Sequence, residues 1–310
     1  MQNKRKRRHP VDSFGRSRKE NTTLSDGDYS PDEVCGRAQA GGVGTLAITD
    51  HNFNNPDLDA LRTRHPGLHI LRGSEISCVY ETAAGDPVEI HVIALNYDPD
   101  AEALCRVLAQ NQPDRRGYVN AILEKLAAHG ISLGSYDDLA AMRPNTHHVG
   151  RMQIARAMLA KGYVSSVDEA FDRYIGSFGQ RLAYVENPLC YASLSDTVAA
   201  IRAAKGIPIL CHLFYYRLDE AEQHRLLAAF QQAAGPCAGM EVLYGRYTPE
   251  QRAVLAGLAQ QYHLLPSAGS DFHGLQDGNS LGSGFEHHFP AEIYEALAAR
   301  QLEYYGMIHD

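Results

Sequence analysis

Five short apolar stretches in this chain end in, or carry, a carboxylate or an imidazole, and that recurrence limits the possible folds more than any other feature. They are Ile48-Thr49-Asp50-His51, Arg72-Gly73-Ser74-Glu75, Glu89-Ile90-His91-Val92, Ile209-Leu210-Cys211-His212 and Gly269-Ser270-Asp271-Phe272-His273-Gly274. Residues two apart along a strand point the same way, so Asp271 and His273 share a face. Asp and neutral His are ordinary ligands for Zn2+, Mn2+ or Fe2+. One strand-end polar residue, or one core histidine, is ordinarily structural. Five in a chain with 15 histidines point to a metal site at one end of a parallel barrel.

The pattern between these stretches agrees. Ser30 caps a helix opening Pro31-Asp32-Glu33, 45–49 reads as a strand and 56–65 as a short helix. Residues 69–81 and 87–97 are strand-like, with Ala84-Gly85-Asp86 as the turn. From Asp98 the texture becomes helical, with amphipathic patterns over 101–110, 116–129, 150–161 and 167–174. Strand and helix then alternate again: helices over 194–205, 218–234 and 249–262, strands over 207–213, 238–243 and 264–268. Such alternation implies parallel β structure with right-handed crossovers. The expected organisation is a basic tail over 1–21, a barrel split between 22–98 and 189–310, and a helical insertion at 99–188. His51, Glu75, His212, Glu241 and Asp271 fall at strand exits, where barrel chemistry sits.

Composition narrows the function. A formal charge of −8 argues against general affinity for long nucleic acids, and no run approaches a membrane span. Six scattered cysteines without a CxxC pair read as reduced thiols in a cytoplasmic protein. Oligomeric state is not readable.

Thr23-Leu24-Ser25-Asp26-Gly27, Thr49-Asp50-His51, Gly73-Ser74-Glu75, Ile90-His91-Val92-Ile93, Cys211-His212-Leu213 and the Gly269–Gly274 stretch together resemble the polymerase and histidinol phosphatase (PHP) superfamily. The order is most similar to its small phosphoesterases, which act on nucleotides, short RNA or cyclic sugar phosphates. The resemblance implies an α/β fold, a distorted seven-stranded βα barrel of PHP type with a helical insertion domain. It implies two or three divalent ions (Mn2+, Zn2+ or Fe2+). Glu75 would bridge two ions, His91 and His212 would complete one, Asp271 would belong to the other, and Asp26, His51 and His273 would hold a third. It implies hydrolysis of a small phosphorylated metabolite or a short single strand by metal-activated hydroxide, with Asp271, His212 and His273 as catalytic candidates. A weakened PHP protein that binds a phosphorylated ligand, or a histidinol-phosphate phosphatase, are the alternatives.

The family opens with a strand ending His-x-His, where this chain has Lys19 and Asn21 after the basic run Lys4-Arg5-Lys6-Arg7-Arg8. Two accounts are open. Either the first metal position is lost, or residues 1–21 are not the natural start of the protein, as a frame error or misjudged start codon would produce. An intact barrel should not lack its first strand, which favours the second. For phosphate, Arg151 follows Asn145-Thr146-His147-His148-Val149-Gly150 at a helix start, resembling a family Gly-Arg-Pro-His stretch in which Met152-Gln153 replaces Pro-His. Glu241-Val242-Leu243-Tyr244-Gly245-Arg246-Tyr247-Thr248-Pro249 resembles a family loop with His at the position of Tyr247, and Arg246 fits a phosphate contact. Tyr215 and Tyr216 follow His212 as pocket candidates or packing.

Overall fold

The computed structural model describes residues 17–112, 115–142, 149–176, 181–185, 190–273 and 292–307. One curled sheet holds its strands in chain order: β1 (Ser17–Glu20), β2 (Thr45–Ile48), β3 (His69–Glu81), β4 (Pro87–Leu95), β5 (Ile207–Leu210), β6 (Gly239–Tyr244) and β7 (Leu265–Gly269). The helices are α1 (Pro31–Ala40), α2 (Leu58–Arg64), α3 (Glu102–Gln110), α4 (Arg116–Ala128), α5 (Tyr136–Ala141) and α6 (Arg151–Ala160). They continue with α7 (Val167–Ala170), α8 (Leu194–Ala203), α9 (Glu220–Ala234), α10 (Pro249–Gln261) and α11 (Glu292–Tyr305). Among the described residues no helix is long and apolar enough to cross a membrane.

Local chemistry starts these elements where the sequence places them. Ser30 and Glu33 form a reciprocal capping box with Pro31 in the first turn of α1, and Thr248, Gln251 and Pro249 repeat it on α10. Gly73 permits the close approach of β3 to β2, since a Cβ there would lie 2.8 Å from the Ile48 carbonyl oxygen. Strands β2 and β5 are buried at every position, as expected of a sheet covered on both faces.

The core divides by face. Leu46, Ile48 and Ile70 pack under α1 and α2, while Ile76, Val92, Leu210 and Met240 pack under α8, α9 and α10. Inside the curl, Ala47, Leu71, Ile93 and Ile209 meet Tyr294 and Leu297 of α11, around a cavity of about 30 Å3. A separate cluster, built on Val119, Ile122, Leu126, Ile154 and Met158, joins α4 through α7. Helix α3 packs instead on the main core through Leu104 and Val107.

Three expectations change. The sheet is not wholly parallel: β4 runs antiparallel to both β3 and β5. The three-residue turn at Ala84-Gly85-Asp86 is too short for a crossover, so it closes a hairpin. Structure also begins before Thr22. Residues 17–20 form β1, paired in parallel with β2 from Ser17↔Thr45 to Glu20↔Ile48. Pairing to a sheet edge uses backbone groups and does not require apolar side chains, so composition gave no sign of it. Short α5 also went unread, because one turn capped by Ser135 and Asp138 carries too little periodicity.

Candidate metal centre

Asp26 stands on a turn held from beneath by Asp50, a residue of the Thr49-Asp50-His51 stretch to which the sequence assigns no role. The Asp50 carboxylate, itself buried, accepts from Thr22 N (2.8 Å), Thr22 Oγ1 (2.8 Å), Ser25 N (3.1 Å) and Ser25 Oγ (2.7 Å). Burial pushes its carboxyl up, and the Ser25 and Thr22 bonds pull it back. The same strand exit presents His51, whose Nε2 lies 4.0 Å from Asp26 Oδ2 and whose backbone bridges to Glu75.

Glu75 is buried at the centre of the next group. Its Oε1 accepts from His91 Nδ1 at 2.9 Å and from His212 Nε2 at 3.0 Å. Burial opposes a charged His91, but its bonds to Glu75 and then to Glu89 outweigh burial and lift the imidazole to about 10. Burial lowers His51, against the pull of Asp26 and Glu75. The rings of His273, His51, His91 and His212 follow one another at centroid spacings of 6.0, 5.2 and 5.1 Å. His212 adopts φ 23° and Asp271 φ 53°, backbone conformations uncommon outside glycine that are found preferentially at functional sites. Glu241 Oε2 holds the first of these by accepting from His212 N at 2.8 Å.

His273 Nε2 lies 3.3 Å from Asp26 Oδ1, and its Nδ1 lies 2.9 Å from the Asp271 carbonyl oxygen. Asp271 Oδ2 accepts from the Tyr244 hydroxyl at 2.9 Å, and Oδ1 from Asn21 Nδ2 at 3.3 Å. Three sets of possible ligand atoms lie within 4.8 Å of one another: Asp26/His51/His273, His51/Glu75/His91 and Glu75/Cys211/His212. Asp271 belongs to none of them.

The donors fit divalent ions. Carboxylate oxygens and imidazole nitrogens are the right ligand types. The high proton affinity of His91 marks a pocket that favours positive charge beside a buried carboxylate. His212 Nδ1 is buried without a hydrogen-bond partner.

No protein-family model matches the chain. It is 32% identical over 255 residues to the 5'-3' exoribonuclease Rnm of Escherichia coli, covering 81% of this chain and 83% of that protein. The chain belongs to the PHP family. It is also 29% identical to a 3',5'-nucleoside bisphosphate phosphatase of Chromobacterium violaceum, covering 82% of this chain and 85% of that one. A solved structure from Bifidobacterium adolescentis, described as a metal-dependent phosphoesterase, superposes with TM-score 0.75 at 26% identity, covering 94% and 99% of the two chains.

This PHP protein is therefore a metal-dependent hydrolase of phosphoric esters. Its Arg246 donates to the Tyr215 hydroxyl at 3.0 Å. Burial works against the Arg246 charge, but Tyr215, Tyr244 and Asp271 raise its proton affinity above the ordinary value. Tyr215 packs its ring 5.6 Å from that of His212, whereas Tyr216 is structural, its hydroxyl bonding Cys211 O and His91 N at 2.9 Å each. Tyr247 likewise supports the backbone, accepting from Phe214 N at 3.1 Å. Arg151 opens α6 with its guanidinium 6.0 Å from the Phe171 ring. Residues 145–148 and Gly274 lie outside the described residues.

Arg156 supports the site from outside every sequence motif. It reaches from α6 to the carbonyl oxygens of Asp26 (2.6 Å) and His273 (3.2 Å) and to Asp28 Oδ1 (3.2 Å). The available signal was one charged residue inside the apolar run Ile154-Ala155-Arg156-Ala157-Met158. Cys211 joins a ligand set that the sequence presents only as a buried thiol, and none of the six cysteines forms a disulfide.

Proposed function

We propose that this protein hydrolyses a phosphoester at a phosphorylated nucleotide end, in a nucleoside bisphosphate or at the 5' end of a short RNA, with two or three divalent ions (Mn2+, Zn2+ or Fe2+) held by Asp26, His51, Glu75, His91, His212, Asp271 and His273. The observation that carries it is the sharing of Glu75 Oε1 between His91 and His212, with the Asp26 and His273 pair across His51. Bound ions would lower the pKa of a water and neutralise phosphoryl oxygens. Glu75 supplies a negative charge that holds both histidines toward one point. Arg246 and Arg151 orient the phosphate, Arg246 with its fork fixed by Tyr215. His212 or His273 hands a proton to the leaving oxygen. The names of the relatives support a nucleotide substrate over histidinol phosphate. We take residues 99–188 as an insertion into a seven-stranded barrel, bringing Arg151 to the site.

A second reading, binding of a phosphorylated ligand with weak turnover, draws on Asn21, which stands in the site where a histidine would ligate. Turnover of a 3',5'-bisphosphate, a 5'-phosphorylated trinucleotide and histidinol phosphate, each with Mn2+, separates the readings. The proposal expects hydrolysis of the first two, reduced at least about a hundredfold by His212→Ala. Metal-loaded protein that hydrolyses none of them would leave the binding reading.

A further inference from the structure

Tyr215 is 41% exposed, one of three exposed tyrosines among the described residues, with Tyr163 and Tyr304. Of these three it alone has a described ring contact with a candidate metal ligand, its centroid 5.6 Å from that of His212. It stands on the single 3-10 turn Leu213–Tyr216 that follows His212 at the exit of β5. Three contacts hold the side chain there. The His212 ring meets it at 62°, the Tyr244 ring meets it at 5.8 Å and 80°, and its hydroxyl accepts from Arg246 Nη1 at 3.0 Å. Both neighbouring rings stand steeply to it, so among the described ring contacts none lies parallel on its face. Behind it the row continues, Tyr244 against Tyr247 at 4.9 Å and Tyr247 against Phe214 at 5.4 Å.

An exposed aromatic side chain loses rotamer freedom when a ligand orders it. Here the protein has already ordered the ring, which lowers the cost of stacking against it. We infer that Tyr215 is a stacking platform for the nucleobase of the substrate, the phosphate of which lies at the metal centre and Arg246. This inference rests on reading the site as a nucleotide phosphoesterase. Its placement suits that role. The platform adjoins His212, so the sugar of one nucleotide spans the gap between a phosphate at the centre and a base on the ring. Arg246 ties the cation for the phosphate to the edge of the platform. Stacking reads no hydrogen-bond pattern, because every base has a π-face, so Tyr215 separates a nucleotide from a bare sugar phosphate without selecting a sequence. A base already stacked inside a duplex offers no free face, so the platform takes a mononucleotide or a single-stranded end.

The test compares KM of the Mn2+-loaded whole chain for adenosine 3',5'-bisphosphate and for the same sugar bisphosphate without its base, read by phosphate release. Wild-type protein should favour the nucleotide about tenfold or more, the size expected of one stacked base. Truncating Tyr215 also releases Arg246, so the informative variants both lack the hydroxyl. Tyr215→Phe keeps the ring, and Tyr215→Leu keeps only apolar bulk. Tyr215→Phe should shift both substrates alike and preserve their ratio, whereas Tyr215→Leu should bring the ratio close to one. Inhibition by unphosphorylated adenosine, which does not involve the phosphate contacts, should weaken in Tyr215→Leu and persist in Tyr215→Phe. A preference for the nucleotide that survives Tyr215→Leu would overturn the inference, and so would its equal loss in both variants. The wild-type comparison decides the matter even if a variant folds poorly. Equal KM for the two substrates would overturn the platform and leave the phosphoesterase reading standing. Metal-loaded wild-type protein that turns over neither would refute the nucleotide reading itself, and the platform with it.

Discussion

Glu75, His91 and His212 come from β3, β4 and the exit of β5, which are neighbours in the sheet, whereas Asp26 and His273 come from segments 247 residues apart in the chain. The first group inherits its geometry from the ladders that pair Ser77 with His91 and Val92 with Leu210. The second is held by side chains: Asp50 under the Asp26 turn, Arg156 across both carbonyls, and Asn21 between Asp271 and His273. A ladder is made of many backbone bonds and tolerates the loss of one side chain. A corner built from a few polar side chains does not, because each removal leaves a buried partner unsatisfied. The two halves of one centre should therefore respond differently to substitution.

The harshest test falls on the ladder side. Glu75→Gln should remove the ions around Glu75 and lower kcat by about a thousandfold or more, read by metal content and phosphate release. The same change should alter a pH profile. His91 is lifted from 6.5 to about 10 in the folded protein, so the native state holds a proton that the unfolded chain releases. Its stabilisation is complete below pH 6.5 and is lost as pH rises through about 10. Metal-free wild-type protein should thus melt at falling temperature across that window, and Glu75→Gln should flatten the slope. An unchanged slope would mean that Glu75 does not set the proton affinity of His91.

On the loop side, Arg156→Met should weaken only the ion at Asp26 and His273, by about tenfold, with Arg156→Lys recovering part of the loss. Equal weakening of that ion and of the ions around Glu75 would erase the distinction between the halves. At the mouth, Arg246→Ala should raise KM about tenfold with little change in metal content, the size expected of one charge-assisted phosphate contact. An unaltered KM together with reduced activity in Arg151→Ala would move the anion site to α6. The smallest effect belongs to Tyr216→Phe. Its hydroxyl bonds His91 N and Cys211 O, so its loss should cost about 1–3 kcal/mol of stability by melting, with metal affinity within about twofold.

What the sequence determined by itself was the set of donors and the order of the elements. Carboxylates and imidazoles in or just after apolar strands are visible in one dimension, because strand periodicity fixes which way neighbouring residues point, although Glu75 and Glu241 lie within β3 and β6 and not at the expected exits. The helices from α8 to α10 and the strands between them fall where their periodicity and caps place them. Only the tertiary structure decided the rest. Strand direction at β4 depended on pairing, and β1 on an available sheet edge, neither of which is written in composition. Arg156, Asp50 and Asn21 gained their places from partners 117, 25 and 250 residues away. Local patterning is blind to such contacts, because a polar side chain shows its role only once folding has brought its acceptors to it.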